Sequence, residues 1–493
     1  MPSSTSESPL SRPKSAALSA STAALALALA APITAEPSPL DRFFAVTPAA
    51  EPAPPVTPPL GTPGSAVPPA TLEAAAPADP AAADLTPPNP TLEDIVKAGK
   101  VTFDLRLRYQ YADRRGLEPS NAATGRLRLG YKTDTYEGLS GFIEFEGTRA
   151  ADPQGFNSVV NGVPGTVIAD PENEELNQLF LQYAYENPDS GYKFIGRAGR
   201  QRIILDDARF IGNVGWRQNE QTFDAGYVDI SPFKNFSARY GYISEVNRIF
   251  GEDGSGGTAD FESDSHIINV ALNQLKIGDV NLGKLVGFAY LFDFSNSEAN
   301  SVNTFGARLT GKQPINDDWA IAYAGSYAVQ TDVDGNPNGD FEVDYAALEL
   351  KGIYQGKYQF GAGYEILGSD DGIQFRTPLA TLHKFNGLAD VFLAGPQSNG
   401  GPFGLQDFYA FVAAPLPYGF KAKVVYHNFA NAEEGDFLGQ EIDFVVTKKL
   451  SANATFLVKY ANFYDGDSYT VPGGPTITFD DITRTTFQID FKF

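Results

Sequence analysis

The last nine residues, Thr485 to Phe493, alternate without a break: Phe487, Ile489, Phe491 and Phe493 fall on one side, Thr486, Gln488, Asp490 and Lys492 on the other. Successive side chains of a strand point to opposite faces, so this segment needs an apolar medium against one face and water against the other. The pattern recurs at Val101, Phe103, Leu105, Leu107, Tyr109 and Tyr111, opposed to Thr102, Asp104, Arg106, Arg108 and Gln110. A one-residue slip would drive Arg106 and Arg108 into the apolar medium, so the register is strongly set. Such strands predict an all-β, single-chain transmembrane antiparallel β-barrel, apolar outside and polar within.

Bulk composition agrees with that reading. The chain has 493 residues, 12% of them aromatic, with 36 Phe and 23 Tyr, yet a mean hydropathy of only -0.21. Large apolar side chains without average hydrophobicity are what alternation produces. No run of about twenty apolar residues occurs beyond the extreme N-terminus, which argues against transmembrane helices. The absence of Cys removes thiol chemistry, disulfides and a lipid-modified Cys together. A formal charge of -23 argues against a nucleic-acid partner, although it says little about the field inside a pore.

Arg12 and Lys14 precede the Ala/Leu-rich run Ala16 to Ile33, which ends in small residues and predicts a secretory signal peptide over residues 1–35. Residues 36–98 are Pro- and Ala-rich and predict a periplasmic linker without a packed core, closing on a short helix at Thr91 to Ala98. The linker is too short and Pro-rich to form the folded plug of an energy-coupled receptor. Residues 99–493 are the predicted barrel. Alternating segments starting near 100, 122, 138, 175, 190, 221, 234, 263, 281, 301, 317, 340, 355, 405, 418, 437, 452 and 482 predict about eighteen strands. Short connections such as Ser231 to Phe233 are expected at the periplasmic end. The long insertions Ala151 to Glu174, Phe250 to Glu262, Asp370 to Gly404 and Asp465 to Asp480 are expected outside the cell or in the lumen. The C-terminal ending resembles the signal by which outer-membrane barrel proteins are recognised. The bacterial outer membrane is therefore the expected location, and its lipid and the barrel-assembly machinery are expected partners.

Charge on the inner face is the main chemical signal. Arg106, Arg108, Arg126 and Arg128 project inward from neighbouring strands, and Lys193, Arg197, Arg239, Lys421 and Lys423 fit lumen positions by alternation. The segment from Gly196 to Asp224 adds Arg200, Arg202, Arg209 and Arg217, with Asp206, Asp207 and Glu220 among them. Two readings stand together: an arginine-lined constriction that selects anionic solutes, and an Arg–carboxylate network lacing the wall, with Glu144 and Glu146 as partners. Arg376, His383 and Lys384 are assigned to a loop that folds into the pore.

The stretch Gly196 to Trp216 and the insertion FRTPLATLHKFNGLADVF, Phe375 to Phe392, resemble segments of the alginate-export porin family. The resemblance spans most of residues 99–493 and implies an outer-membrane barrel of eighteen strands. It further implies a basic lumen that passes an acidic polysaccharide out of the cell. The abundant acidic residues and Pro-rich leader depart from that pattern and bear on the solute. The expected function is a channel passing small hydrophilic solutes, anions or oligosaccharides by facilitated diffusion. The alternative is a dedicated exporter of an acidic polysaccharide.

Neither an enzyme, a cofactor nor a metal is expected. His266, His383 and His427 are the only histidines; Ser265 alternates away from His266, and Asn428 away from His427, so neither has a nucleophile on its own face. The runs around Asp253, Asp260 and Asp264, and DVDGNPNGD from Asp332 to Asp340, read as solvated turns. The second run lacks the Glu that closes a calcium loop.

Overall fold

The computed structural model describes residues 92–393, 395–470 and 476–493; the expected signal peptide and most of the linker lie outside the described residues. A short helix, α1 (Leu92–Lys97), stands where the sequence predicts one and buries Ile95. Among the described residues, twenty-two strands follow: β1 (Lys100–Arg114), β2 (Ser120–Lys132), β3 (Leu139–Ala150), β4 (Asn173–Asn187), β5 (Tyr192–Gln201), β6 (Thr222–Ser231), β7 (Phe236–Asn247), β8 (Asp260–Ile277), β9 (Val280–Phe292), β10 (Val302–Pro314), β11 (Trp319–Asp332), β12 (Glu342–Tyr354), β13 (Tyr358–Leu367), β14 (Ser369–Asp370), β15 (Ile373–Gln374), β16 (Leu405–Pro415), β17 (Phe420–Ala430), β18 (Phe437–Lys449), β19 (Ala454–Asp465), β20 (Tyr469–Thr470), β21 (Thr476–Ile477) and β22 (Ile482–Lys492). Eighteen form one antiparallel sheet; the two-residue strands β14, β15, β20 and β21 are loop ladders.

The sheet closes on itself. β22 pairs with β19 on one side and β1 on the other, with Arg106 opposite Asp490 and Arg108 opposite Gln488. All eighteen sequence-predicted starts fall within three residues of the observed ones. Eight connections of two to six residues lie at the end that carries the first and last strand ends, and nine of five to thirty-seven residues lie at the other. That asymmetry is the one outer-membrane barrels show between periplasmic turns and extracellular loops.

The outer wall carries the apolar band, with Leu129, Phe145, Leu181, Leu348 and Val412 all exposed. Toward the long-loop end a row of tyrosines bounds this band, each hydroxyl reaching a polar group on the neighbouring strand. Tyr109 donates to Asn121 (2.8 Å), Tyr327 to Asp344 (2.6 Å), Tyr364 to Gln406 (2.6 Å) and Tyr426 to Gln440 (2.9 Å). Tyr240 meets His266 in the same way at 2.9 Å, which places that histidine on the outer wall. At the turn end Phe103 packs edge-on against Phe493, and Trp319 against Tyr354 and Phe360. An aromatic ring with one polar tip fits an interface between lipid and water.

Candidate functional site in the lumen

Two connections turn inward and fill the long-loop half of the lumen. The first, 202–221 between β5 and β6, does not stand out in the sequence as a long insertion, because its alternating apolar and charged residues imitate strand. Its backbone bends through positive φ at Asp206 (52°), Ala208 (65°) and Val214 (51°). A β-branched residue in that region is strained, and Val214 is held there by its amide donating to Thr381 Oγ1 at 3.1 Å. The second connection, 368–404, contains the predicted pore loop. The two join into one plug: Gly212 N donates to Leu379 O (2.9 Å), Thr381 N donates to Ala208 O (3.0 Å), and Ile211 and Leu379 form a parallel bridge. A side chain at Gly212 would overlap Ala208 and Thr381, so this seam needs glycine. Ile203, Leu205, Ile211, Phe375, Leu379, Val391 and Phe392 carry the plug's apolar side into a core with Phe288, Tyr290, Tyr345, Phe429 and Phe463 of the wall.

The four predicted lumen arginines of β1 and β2 do face inward, and all are buried, at 0–3% exposure. Arg106 binds Asp490 through Nε (2.8 Å), and its Nη1 donates to the carbonyls of Gly215, Trp216 and Arg217 at 3.1–3.2 Å. Arg108 binds Asp170 (2.9 Å), Gln488 and the Trp216 carbonyl, and its guanidinium lies 4.1 Å from the Trp216 ring centroid. Arg126 binds Asp104 at 2.6 Å, and Arg128 binds Glu146 and, at 3.4 Å, Glu220. Arg202 joins Glu144 (2.6 Å) to Glu220. These groups hold the first loop on the wall.

The other predicted residues of the plug are also engaged. Arg209 binds Glu365 at 2.8 Å and Asn386 at 3.1 Å, and Arg217 binds Asp390 at 2.9 Å. His383 stacks on Trp216 (4.5 Å, 9°), with Asp390 at its Nδ1 (2.6 Å) and Lys459 at its Nε2 (3.1 Å). Burial pushes the imidazole down to about 3, with Lys459 adding to the effect and Asp390 opposing it. Lys384 donates to the Asp207 carbonyl at 2.8 Å, and Arg376 to that of Ala299. Arg200, beside the bulge at Gly199, pairs with Asp224 at 2.7 Å.

Below the plug the inner wall is more basic. Arg197 donates to Gln182 (3.0 Å) and lies over Phe180; Lys193 pairs with Glu186 (2.8 Å) and Arg239 with Asp229 (2.5 Å). Lys423 lies over Phe411, and exposed Lys421 shares its inward face. Alternation alone gave little weight to Lys284 and Arg308, which meet the plug's tip: Lys284 is 3.4 Å from Asp206, and Arg308 is 2.8 Å from Asp207. Burial would raise Asp207, but Arg308 and Lys384 hold its carboxyl below the usual range. Lys193, Arg197, Arg239, Lys284, Arg308, Lys312, Lys351, Lys421 and Lys423, nine cations, thus face five carboxylates, Glu186, Asp206, Asp207, Asp229 and Glu349, in a chain of net charge -23.

His427 touches Asp407 (2.9 Å) and Asp443 (3.7 Å). Among the described residues no cluster of three histidines or carboxylates is placed to hold a metal. Asp332 instead accepts the Phe341 amide within its turn.

A family model described as alginate export matches residues 99–239. No curated protein matches the chain in sequence. Solved structures share the fold. The outer membrane protein opdK from Pseudomonas aeruginosa has TM-score 0.58 and 12% identity, covering 81% of this chain and 99% of its own. OccK9 (OpdG) from the same organism has TM-score 0.57 and 13% identity, covering 81% and 100%. OccAB4 from Acinetobacter baumannii has TM-score 0.55 and 14% identity, covering 80% and 98%. The fold is that of these eighteen-stranded outer-membrane barrels.

Proposed function

We propose that this outer-membrane barrel is a channel for small hydrophilic anions or acidic oligosaccharides, which cross by diffusion through the basic lumen beneath the plug. The observation that carries the reading is the excess of inward cations there within an acidic chain. Fixed charge of one sign in a low-dielectric passage concentrates counter-ions and raises their entry rate. The lysines along the wall supply unspecific attraction, while Arg239 and Arg308 are engaged by Asp229 and Asp207. The arginines of β1 and β2 take a different part: paired and buried, they position the plug that narrows the passage.

The match of residues 99–239 to the alginate-export model favours a second reading, a dedicated exporter of an acidic polysaccharide. Planar-bilayer recording separates the two. A channel passes small anions down a salt gradient, and uronate oligomers added at the turn end reduce its current. An exporter stays closed to small ions. Charge reversal at Lys284 and Lys423 should move the reversal potential toward cations, and an unchanged potential would remove the basic lumen from the account.

A further inference from the structure

The tip of the first inward loop meets the basic wall through two carboxylates that are adjacent in the chain. Lys284 of β9 lies 3.4 Å from Asp206, and Arg308 of β10 lies 2.8 Å from Asp207. Lys284 stands opposite Thr310 in the ladder, two residues along the same face from Arg308, which sets the two cations on a diagonal with Cα atoms about 7–8 Å apart. Asn269 of β8 donates to Asp206 at 3.2 Å, and Arg308 also donates to Ser326 Oγ at 2.8 Å, so its guanidinium has a second hold on the wall. Arg239, itself held by Asp229, also acts on Asp206, and Lys384 of the second loop on Asp207. Arg209, two residues on, adds to the field at Asp207 but is bound to Glu365.

Two features separate this contact from an anchor. Its four side chains are 12–29% exposed, whereas Arg106 with Asp490 and Arg108 with Asp170, which hold the same loop elsewhere, are 0–8% exposed. Ion pairs open to water are weak, and their partners exchange readily. The backbone is also shaped to present the carboxylates together. In an extended strand adjacent side chains point to opposite faces, but the left-handed turn at Asp206, φ 52°, brings both to one wall. The main chain of the tip bonds to itself and to the second loop, with Ala208 N donating to Leu205 O (2.9 Å) and Thr381 N to Ala208 O (3.0 Å). Each carboxylate can therefore swing off its cation by side-chain rotation while Phe210 stays packed on Phe288, 5.0 Å between ring centroids.

We propose that Lys284 and Arg308 form a subsite for a solute bearing two neighbouring carboxylates, and that Asp206 and Asp207 fill it as a built-in stand-in until such a solute displaces them. This deepens the anion-channel reading and rests on it. A lone carboxylate takes one cation and leaves the other with its Asp. Two linked carboxylates displace both, the second at the effective concentration its link provides. With the subsite open a tenth of the time, apparent affinity falls about tenfold below the intrinsic one. The stand-in thus keeps binding weak enough for the release that conduction requires.

Calorimetric titration of the refolded full chain with digalacturonate and with galacturonate tests the subsite. Asp206→Asn with Asp207→Asn should bind digalacturonate about tenfold more tightly, with a smaller gain for galacturonate. Should that variant fold poorly, Asp207→Asn alone makes the same comparison at one cation. Glu349→Gln, which removes one carboxylate from the same wall away from the tip, should gain less than Asp207→Asn, and Arg308→Gln should erase the preference for the dimer. Digalacturonate binding that is unchanged or weaker without the tip carboxylates, or that tightens no more than galacturonate binding or no more than in Glu349→Gln, would make the tip an anchor and overturn the subsite. Anion current in the wild type would then leave the channel standing. Dimer-selective tightening in a chain that carries no anion current would support the subsite and overturn the channel.

Discussion

The two inward loops are held by opposite chemistry. On the wall of β1, β2 and β22, permanently charged guanidiniums meet carboxylates and backbone carbonyls, and three consecutive carbonyls converge on Arg106 alone. On the wall of β13 to β18, carboxylates meet backbone amides and an asparagine of the second loop. Arginine keeps its charge at any pH the cell meets, whereas a buried carboxylate surrenders it by taking a proton. One lumen thus holds its two loops by opposite electrostatics.

The comparison can be broken most forcefully on the arginine side. Arg106→Leu leaves Asp490 buried without its partner and three carbonyls without a donor. It should cost about 3–5 kcal/mol in urea unfolding of the refolded barrel. A loss near zero would mean that the first loop is held by its apolar side. Glu365→Gln comes next: it leaves buried Arg209 without its charge partner while Asn386 and Tyr345 keep a polar neighbour. About 2–3 kcal/mol is expected, with the second loop becoming cleavable by added protease before the barrel unfolds. Glu441→Gln should cost least, under about 1 kcal/mol at neutral pH, because the new side-chain carbonyl can still accept from the Ala389 amide. A cost as large as that of Glu365→Gln would place a full charge on Glu441 and contradict the comparison.

pH sharpens it from the acid side. His383 is neutral in the seated loop, with burial holding its proton affinity down to about 3. The released loop takes up a proton below about 6.5, which the seated loop refuses, so seating weakens as pH falls from about 6.5 toward 3. Trp216 emission should follow that decline, and His383→Asn should flatten it.

Much of this was legible in the chain. Strand starts followed from alternation because lipid enforces the inside–outside rule on every strand, and inward arginines were readable for the same reason. Their partners were not: Arg106 meets Asp490 across 384 positions, a relation created only when the sheet closes. The first loop escaped notice because Ile203, Leu205 and Ile211 among arginines look like wall, yet they pack inward against the second loop. Lys284 and Arg308 acquired meaning only once that loop brought Asp206 and Asp207 to them.

The central claim, that the basic lower lumen makes the barrel an anion conduit, is tested most directly by the reversal potential of the refolded protein in a planar bilayer under a salt gradient. The predicted result is a potential displaced toward the anion equilibrium, moved toward the cation side by Lys284→Glu with Lys423→Glu. A potential at zero that the double variant leaves unmoved would contradict it.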